Sequence, residues 1–248
     1  MGYTREPSRN STVVPLEALA ESLRGERTRN RAIAQADPLE ADEAMLRLPQ
    51  LNQQADTQGL REVLEQIVRR AQHLRELNFI HASAAIRDIS MVAGSLVRFG
   101  IEPAVCVPKF SKLLLHLSAQ VDAPIPRDSF VDYTSRNPKN RRERTFTPLI
   151  EERIFIDALR QGMMALDYCL EAIMCAYASP LSSKECATHF HTASDSFQTM
   201  IDSIVQVKKR ITPDVFTHYI RPFFEPFKVG DRAVSYTHLR AHETGRKL

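Results

Sequence analysis

The sequence predicts an all-α protein, a bundle of about six or seven helices. The 248 residues include only 8 Gly against 14 Pro, with long stretches of Leu, Ala, Glu and Arg. Apolar residues recur three and four positions apart along most of the chain, and no run alternates convincingly as a half-buried strand would. With 43% hydrophobic and 25% charged residues, the composition is that of an ordinary globular protein that can bury a sizeable core.

The first part of the chain contains one clear helix start. Residues 1–36 are polar and arginine-rich, and we expect them to be loosely ordered apart from a short helix near residues 16–23. In the run Asp37-Pro38-Leu39-Glu40, the aspartate can cap a helix, the proline suits the first helical position and the glutamate can reach back from the third. We expect that helix to stop near Pro49.

Three further helices are predicted before residue 122. One has an inward face that recurs at three and four residues, namely Leu60, Val63, Leu64, Ile67, Val68, Ala71 and Leu74. The next covers residues 79–99 and ends at Gly100, a residue type that favours the left-handed turn after a helix. Its inward positions are Ala82, Ala85, Ile86, Ile89, Ala93 and Leu96. A shorter helix occupies residues 109–121.

Residues 122–148 form a long connection that four prolines interrupt, namely Pro124, Pro126, Pro138 and Pro148. Connections of this length inside a compact domain are often functional loops. The basic run 139–144 predicts a solvated surface segment, with an anion site as the alternative.

Two long helices and a short one follow the connection. Residues 149–178 and 182–210 carry stripes of Met, Phe, Leu and Ile that predict core packing. The short helix begins at Thr212-Pro213-Asp214, with Thr212 as its cap, and ends at Arg221-Pro222.

Charge and hydropathy exclude two classes of partner. Residues 235–248 contribute a net +2 of the formal charge of +3, so the rest of the chain is nearly neutral and no nucleic-acid partner is predicted. No run is apolar enough to span a membrane, and no signal peptide begins the chain. Together with four unpaired cysteines expected to be reduced, these features predict a cytoplasmic protein.

No residue pattern identifies a catalytic group or a metal ligand. The chain has no nucleophile elbow, P-loop, Rossmann glycine pattern or HExxH motif. Cys186-x-x-His189-x-His191 does not place its members as a structural zinc site needs. Arg221 stands among aromatic residues, where it could clamp a ligand carboxylate or pair with a helix end, and the residue types leave both open.

A series of short motifs occurs in order along roughly residues 36–233. They lie at 37–41, 48–52, 84–89, 94–96, 102–103, 107–108, at Thr147, Leu149 and Glu152, and at 163–166, 203–205, 215–216 and 220–230. The series resembles the monodechloroaminopyrrolnitrin synthase family, within the superfamily of haem-dependent tryptophan and indoleamine dioxygenases.

The resemblance implies the N-terminal portion of a haem dioxygenase-like helical fold and an oxidative enzyme of secondary metabolism. The substrate it implies is tryptophan or a halogenated tryptophan. This would be rearranged and decarboxylated to an aminophenylpyrrole, or oxidised by related dioxygenase-type chemistry. The implied cofactor is haem b, with its axial histidine downstream of this chain. The implied partner is a small-molecule amino-acid substrate of tryptophan type. The resemblance is also compatible with an external electron donor.

The resemblance also implies three substrate-binding residues. Arg221 matches, by its place at a helix end, the arginine that binds the substrate carboxylate in the indoleamine branch. Phe155, on the helix facing the expected haem cavity, and Phe130, in the proline-rich connection, are implied pocket residues. The sequence departs from the family at Arg136, where an aromatic residue usually precedes Asn137-Pro138, and it has no Trp. These departures concern the identity of the substrate rather than the fold.

The last residues differ in character from the rest. The string Ser235-Tyr236-Thr237-His238-Leu239-Arg240-Ala241-His242-Glu243-Thr244 resembles a translated sequencing adapter. We therefore expect a non-native tail at 234–248 on a C-terminally truncated and inactive chain, which excludes His238 and His242 as iron ligands.

Five segments are thus expected: a loose N-terminal segment, an N-terminal helical part, a proline-rich connection, the start of a haem-binding helical domain, and the tail. Their bounds are 1–36, 37–121, 122–148, 149–233 and 234–248. The alternative function is a non-catalytic helical bundle that binds a protein partner through its Phe-rich and Met-rich faces.

Overall fold

The computed structural model describes residues 15–74, 76–121 and 130–234, without the side chains of Glu17 and Arg232. The α-helices are α1 (Leu16–Gln35), α2 (Asp42–Gln53), α3 (Thr57–Gln72), α4 (Phe79–Arg98), α5 (Pro103–Cys106), α6 (Lys109–Gln120), α7 (Phe130–Tyr133), α8 (Ile150–Ala178), α9 (Lys184–Arg210) and α10 (Pro213–Val215). Shorter turns are the 3-10 helix Asn140–Arg142, the π-helix Phe216–Ile220 and the 3-10 helix Arg221–Phe224. The all-α prediction is confirmed. None of the described helices combines the length and apolarity needed to cross a membrane.

Helix α4 is the centre of the core. Every residue from Ala82 to Leu96 is buried, because α1, α2, α3, α6 and the 3-10 helix Arg221–Phe224 all pack against it. Gly94 is required at the last of these crossings, since a Cβ there would lie 2.7 Å from the carbonyl oxygen of Phe223. The core therefore fixes the backbone beside Arg221.

Local sequence signals place the helices of this core correctly. The predicted inward face of α3 is buried from Leu60 to Ala71. Asp56 caps that helix by accepting a hydrogen bond from the backbone N–H of Gly59 at 2.9 Å. Gly100 follows α4 with a φ of +74°, as the left-handed turn requires.

The N-terminal segment is more ordered than the sequence indicates. A short helix was expected near residues 16–23 within a loose segment 1–36, yet α1 continues to Gln35. Ion pairs to distant residues hold it, because Arg24 and Arg27 both bind Glu171 on α8. Such pairs leave no local pattern in the sequence. Residues 1–14 lie outside the described part of the chain.

The helix expected from Asp37 begins later and ends later. Asp37 does cap a helix, but its carboxylate accepts from the backbone N–H groups of Ala41 (2.7 Å) and Asp42 (3.1 Å), so α2 starts at residue 42. Pro49 lies inside α2 instead of ending it. The buried residues on either side of it, Leu48 and Leu51, show that core packing outweighs the hydrogen bond that proline lacks.

The last described residues contain a β-hairpin that the sequence did not predict. β1 (Phe227–Val229) pairs antiparallel with β2 (Arg232–Val234) around Gly230, whose φ is +60°. Three residues per strand are too few for an alternating pattern to be recognised. Val234, expected to begin the tail, pairs with Phe227 and is buried. Residues 122–129 of the connection and residues 235–248 lie outside the described part of the chain.

Candidate functional site

The segment that carries Arg221 changes its helical geometry twice. Thr212 caps α10 by accepting from the N–H of Val215 at 3.3 Å, and the chain then enters the π-helix Phe216–Ile220 and the 3-10 helix Arg221–Phe224. Short π-helical turns concentrate at functional sites. Ile220 is completely buried and anchors the backbone at the junction.

Arg221 is exposed, in contrast to its immediate neighbour Ile220. Its guanidinium makes no hydrogen bond or ion pair with any residue that the structure describes. It also lies outside the linings of the cavities of about 330, 500 and 910 Å³. The reading of Arg221 as a partner for a helix end therefore gains no support here, and its carboxylate contact stays a prediction.

Phe155 lies against the π-helix. Its ring is 5.2 Å from that of Phe216 and 6.4 Å from that of Tyr133, measured between centroids. Phe130 opens α7, three residues before Tyr133, and is half-buried. The structure thus brings Phe155 to the helix that precedes Arg221, and connects Phe130 to the same region only through α7.

A cluster of aromatic rings underlies this region, and sequence reasoning missed two of its members. Phe146 stacks on Phe223 at 4.6 Å with 8° between the ring planes, and on Tyr133 at 5.8 Å. Phe224 meets Tyr133 edge-on at 5.1 Å. Tyr133 and Phe146 are isolated aromatics in an irregular connection, where no periodicity marks a residue as buried.

Glu152 holds the loop that carries Phe146. Its buried carboxylate accepts hydrogen bonds from the Tyr133 hydroxyl (2.8 Å), the Phe146 N–H (2.8 Å), and the N–H (2.6 Å) and hydroxyl (2.7 Å) of Thr147. Complete burial raises the pKa of Glu152, although these donors oppose the shift. Glu152 also lies in the first turn of α8, where the helix dipole favours a carboxylate. Its larger role depends on tertiary contacts.

A second polar network fixes the other end of the connection. Arg87 and Arg144 both bind the carboxylate of Asp88, and the side chains of all three are fully buried. Arg144 also pairs with Asp42 at 2.6 Å. Burial opposes ionisation of Asp88, but the two guanidinium groups outweigh it and lower the pKa of that carboxyl.

The basic run 139–144 is only partly solvated, which corrects the expectation. Arg144 is a core residue, and Arg142 pairs with Asp42 at 2.6 Å. Lys139 and Arg141 are exposed. The run therefore fastens the connection to α2 and α4 as well as facing solvent.

Arg136, which stands where the family usually has an aromatic residue, has a structural role. Its guanidinium binds Asn30 (2.7 Å) and Glu26 (3.1 Å) on α1 and Asp132 (3.2 Å) on α7. Its carbonyl accepts from Arg87 at 3.0 Å. Arg136 thereby joins α1 to the connection.

The α8–α9 hairpin presents an apolar face that the described residues leave open. α9 packs mainly on α8, and α8 on α1. The exposed large apolar side chains of these two helices are Ile150, Met164, Tyr168, Leu170, Ile173, Tyr177, Phe190, Phe197, Ile201, Ile204 and Val205. The predicted core stripes include eight of these residues, and for them that prediction is wrong. They are Leu170, Ile173, Tyr177, Phe190, Phe197, Ile201, Ile204 and Val205.

The described part of the chain does not by itself fit a haem. Its histidines are His73, His81, His116, His189, His191 and His218. None of these lines the cavities named above, and no cluster of metal-ligating side chains occurs in the described ranges. Cys186 is buried, and its thiol contacts the Ala176 carbonyl at 3.5 Å. The described residues therefore offer an apolar surface, and none of their histidines lies in one of these three cavities.

Comparison with known families agrees with the ordered motifs. The family model described as monodechloroaminopyrrolnitrin synthase PrnB matches residues 29–241, which is most of the chain. The match supports an oxidative enzyme of pyrrolnitrin biosynthesis that acts on a tryptophan-derived substrate. The chain belongs to the monodechloroaminopyrrolnitrin synthase family.

Proposed function

We propose that this chain binds the amino-acid end of tryptophan or a halogenated tryptophan within a haem-dependent oxidative enzyme. Arg221 would hold the carboxylate, and Phe155 and Phe130 would contact the indole ring. The observation that supports this most directly is the exposed, unpaired guanidinium of Arg221 directly after a π-helix whose Phe216 touches Phe155.

An unpaired arginine suits a carboxylate ligand for two reasons. Its planar guanidinium presents donors that match both carboxylate oxygens at once. Because no described acid neutralises Arg221, a ligand need not displace an existing ion pair. The buried Ile220 before it and Phe223 after it hold the backbone in place, so the guanidinium starts from a fixed Cα position.

The aromatic contacts provide a wall for a planar ring. Phe155 is half-buried, and its ring packs against Phe216 and Tyr133. Tyr133 is fixed by the hydrogen bond from its hydroxyl to Glu152. An indole resting on Phe155 would therefore meet a ring whose neighbours are already ordered, which lowers the entropic cost of binding.

Haem is part of the proposal as the group that would supply the oxidative chemistry when bound. No described residue is assigned as its ligand, and the proposal places that ligand outside the described ranges. The role given to this chain's own residues is to bind and orient the substrate.

The test compares L-tryptophan with tryptamine, which lacks the carboxylate. Because the chain has no Trp, the indole fluorescence of the ligand reports binding directly. Arg221→Ala should lower the affinity for L-tryptophan about tenfold or more, because a charge-assisted hydrogen bond is lost. The affinity for tryptamine should stay nearly unchanged. Arg210→Ala, at the exposed end of α9, is the matched control. Equal losses for both ligands would remove Arg221 from the proposal.

A second function rests on the open face of the α8–α9 hairpin. Exposed apolar surface of this extent marks interaction sites in many proteins, as expected for a non-catalytic bundle that binds a protein partner. The same titration discriminates between the two functions. A folded chain that binds neither L-tryptophan nor tryptamine favours the partner-binding bundle.

A further inference from the structure

A cavity of about 500 Å³ lies between α1, α8 and the part of the connection that includes the 3-10 helix Asn140–Arg142. Its volume falls in the range of small-molecule sites. Phe130, Phe155 and Arg221, the residues of the proposed function, are not part of its lining. A ligand of this cavity would therefore be held by residues other than those that bind the proposed substrate.

The charged side chains of the lining are mostly positive. They are Arg27, Arg31, Lys139, Arg142 and Arg160, against the single acid Asp167. A cavity lined by one sign of charge concentrates ions of the opposite sign, because its protein walls screen the field less than water does. The lining therefore favours an anion.

Three of these cations already bind carboxylates, but those carboxylates lie outside the lining. The partners are Glu171 for Arg27, Asp42 for Arg142, and Glu143 and Asp157 for Arg160. Because the neutralising acids are on the far side of the guanidinium groups, they offset the positive charge inside the cavity only in part.

Arg31 and Lys139 differ from these three cations. Both are exposed, and their side chains make no hydrogen bond or ion pair with any residue that the structure describes. Arg31 belongs to α1 and Lys139 to the connection, so they come from two different walls of the cavity. An anion would bind them without displacing an existing ion pair.

Hydrogen bonds fix the backbone that carries these two cations. Asn137, only 1% exposed, donates from Nδ2 to the carbonyls of Tyr133 (3.0 Å) and Arg144 (2.8 Å) and accepts at Oδ1 from the Arg144 N–H (2.9 Å). Arg136 joins this segment to α1 by donating to Asn30 at 2.7 Å. The two walls are thus held together before a ligand arrives, which lowers the entropic cost of binding.

The chemistry of the lining favours phosphate over an aromatic ligand. Its described residues include no aromatic side chain, and its apolar members are only Ala34, Pro138 and Met164. A guanidinium group matches two phosphate oxygens at once, and a lysine ammonium binds phosphate as a point charge. Two unpaired cations on separate walls suit an anion with more than one charged group.

We propose that this cavity binds a small anion with two or more phosphoryl groups, and that Arg31 and Lys139 form ion pairs with it. Inorganic pyrophosphate and the diphosphate end of a larger metabolite share this chemistry. The basic run 139–144, for which an anion site was the alternative to a solvated surface, would contribute Lys139 and Arg142. The site requires neither haem nor Arg221, so it can fail while the proposed function stands.

The first experiment measures which anions bind. The chain is titrated by calorimetry with pyrophosphate, sulfate and ADP at constant ionic strength and without divalent cations. Pyrophosphate should form a one-to-one complex and bind about tenfold more tightly than sulfate, because it can pair with both free cations. Equal affinity for pyrophosphate and sulfate, or no saturable binding of either, overturns the proposal.

ADP distinguishes the two sources of a diphosphate. An affinity for ADP equal to that for pyrophosphate assigns the diphosphate end of a metabolite, whereas exclusion of ADP assigns the free ion, and both results support the site. Tighter binding of ADP than of pyrophosphate contradicts it, because a base would then be recognised where the described lining has no aromatic side chain.

The second experiment tests the two unpaired cations. Arg31→Gln and Lys139→Gln should each lower the affinity for pyrophosphate about tenfold, because each removes one charge-assisted contact. Neither side chain has a described partner, so the midpoint of thermal unfolding without ligand should stay that of the wild type. Arg47→Gln, exposed on α2 and outside the lining, should change neither quantity.

Two results of the second experiment would refute the site. One is an affinity for pyrophosphate that neither Arg31→Gln nor Lys139→Gln changes. The other is an affinity that falls in Arg221→Ala but not in Arg31→Gln, which would place the anion at the site of the proposed function. The titrations with L-tryptophan and tryptamine are independent of both results.

Discussion

The core around α4 and the α8–α9 hairpin use the same kinds of apolar residue with opposite results. In α4 every side chain from Ala82 to Leu96 is buried, including the charged pair Arg87 and Asp88. In α9 Phe197 and Ile204 face solvent, although they follow the same helical spacing. Periodicity thus identifies the apolar face of a helix, whereas only the surrounding elements determine whether that face is covered.

Removing a carboxylate should give the largest difference between the two regions in the free energy of unfolding. Asp88→Ala leaves Arg87 and Arg144 buried without their shared partner and should lower the free energy of unfolding by about 3–5 kcal/mol. Asp202→Ala, on the exposed side of α9, should change it by less than about 0.5 kcal/mol. Chemical denaturation of both variants measures the difference. Similar effects at the two positions would contradict the contrast.

The same isoleucine-to-valine substitution in both regions compares how much a buried and an exposed apolar side chain contribute to stability. Ile89, in α4, is fully buried, and Ile204, in α9, is 58% exposed. Ile89→Val should cost about 0.5–1.5 kcal/mol, because it leaves a small cavity in a packed core. Ile204→Val should have an effect within about 0.5 kcal/mol. A larger loss at Ile204 would mean that the hairpin face is covered in the folded protein.

Acid should act on the core through its paired carboxylates. Arg87 and Arg144 lower the pKa of Asp88 against its burial, and Arg142 and Arg144 do the same for Asp42. Their contribution to stability is present above the unfolded carboxyl pKa of about 3.9 and is lost as the pH falls through the lower folded values. Unfolding should become easier over that acidic range, and Asp42→Asn should reduce the slope. A slope identical to that of the wild type would refute the role of Asp42.

Glu152 should oppose this trend. Burial raises its pKa, so its contribution is present below the unfolded value of about 4.3 and is lost as the pH rises through the folded one. The acid effect of the paired aspartates therefore has to exceed that of Glu152 for the chain to lose stability at low pH.

Only those parts of the fold that depend on nearby residues could be predicted from the sequence. The cap at Thr212, the face of α3 and the turn at Gly100 were predictable, because each depends on residues close in the chain. The full length of α1 was not, since it is held by ion pairs to α8.

The residues of the candidate site also divide into those that could be predicted from the sequence and those that could not. Arg221 and Phe155 were predicted as substrate-binding residues from the family resemblance, and the structure brings the helix that precedes Arg221 beside the ring of Phe155. Phe146 and Glu152 could not be predicted. Their roles arise from contacts between a loop and distant helices, which no local spacing encodes.

The smallest effect expected is that of adding haem to this chain. Although the hairpin face is apolar, none of the described histidines lies in one of the three cavities of about 330, 500 and 910 Å³, so we predict neither a stoichiometric complex nor turnover. Titration with hemin, followed by Soret absorbance, measures this. A saturable one-to-one complex with a shifted Soret band would show that the chain supplies an iron ligand.

We propose that Arg221 binds the carboxylate of an amino-acid substrate and contributes little to the stability of the fold. It is tested by the coupling between two changes, Arg221→Ala in the chain and loss of the carboxylate from L-tryptophan to tryptamine. We predict a coupling free energy of about 1.5–3 kcal/mol, with the free energy of unfolding changed by less than about 0.5 kcal/mol. A coupling of zero, or a loss of stability that accounts for the weaker binding, would contradict the claim.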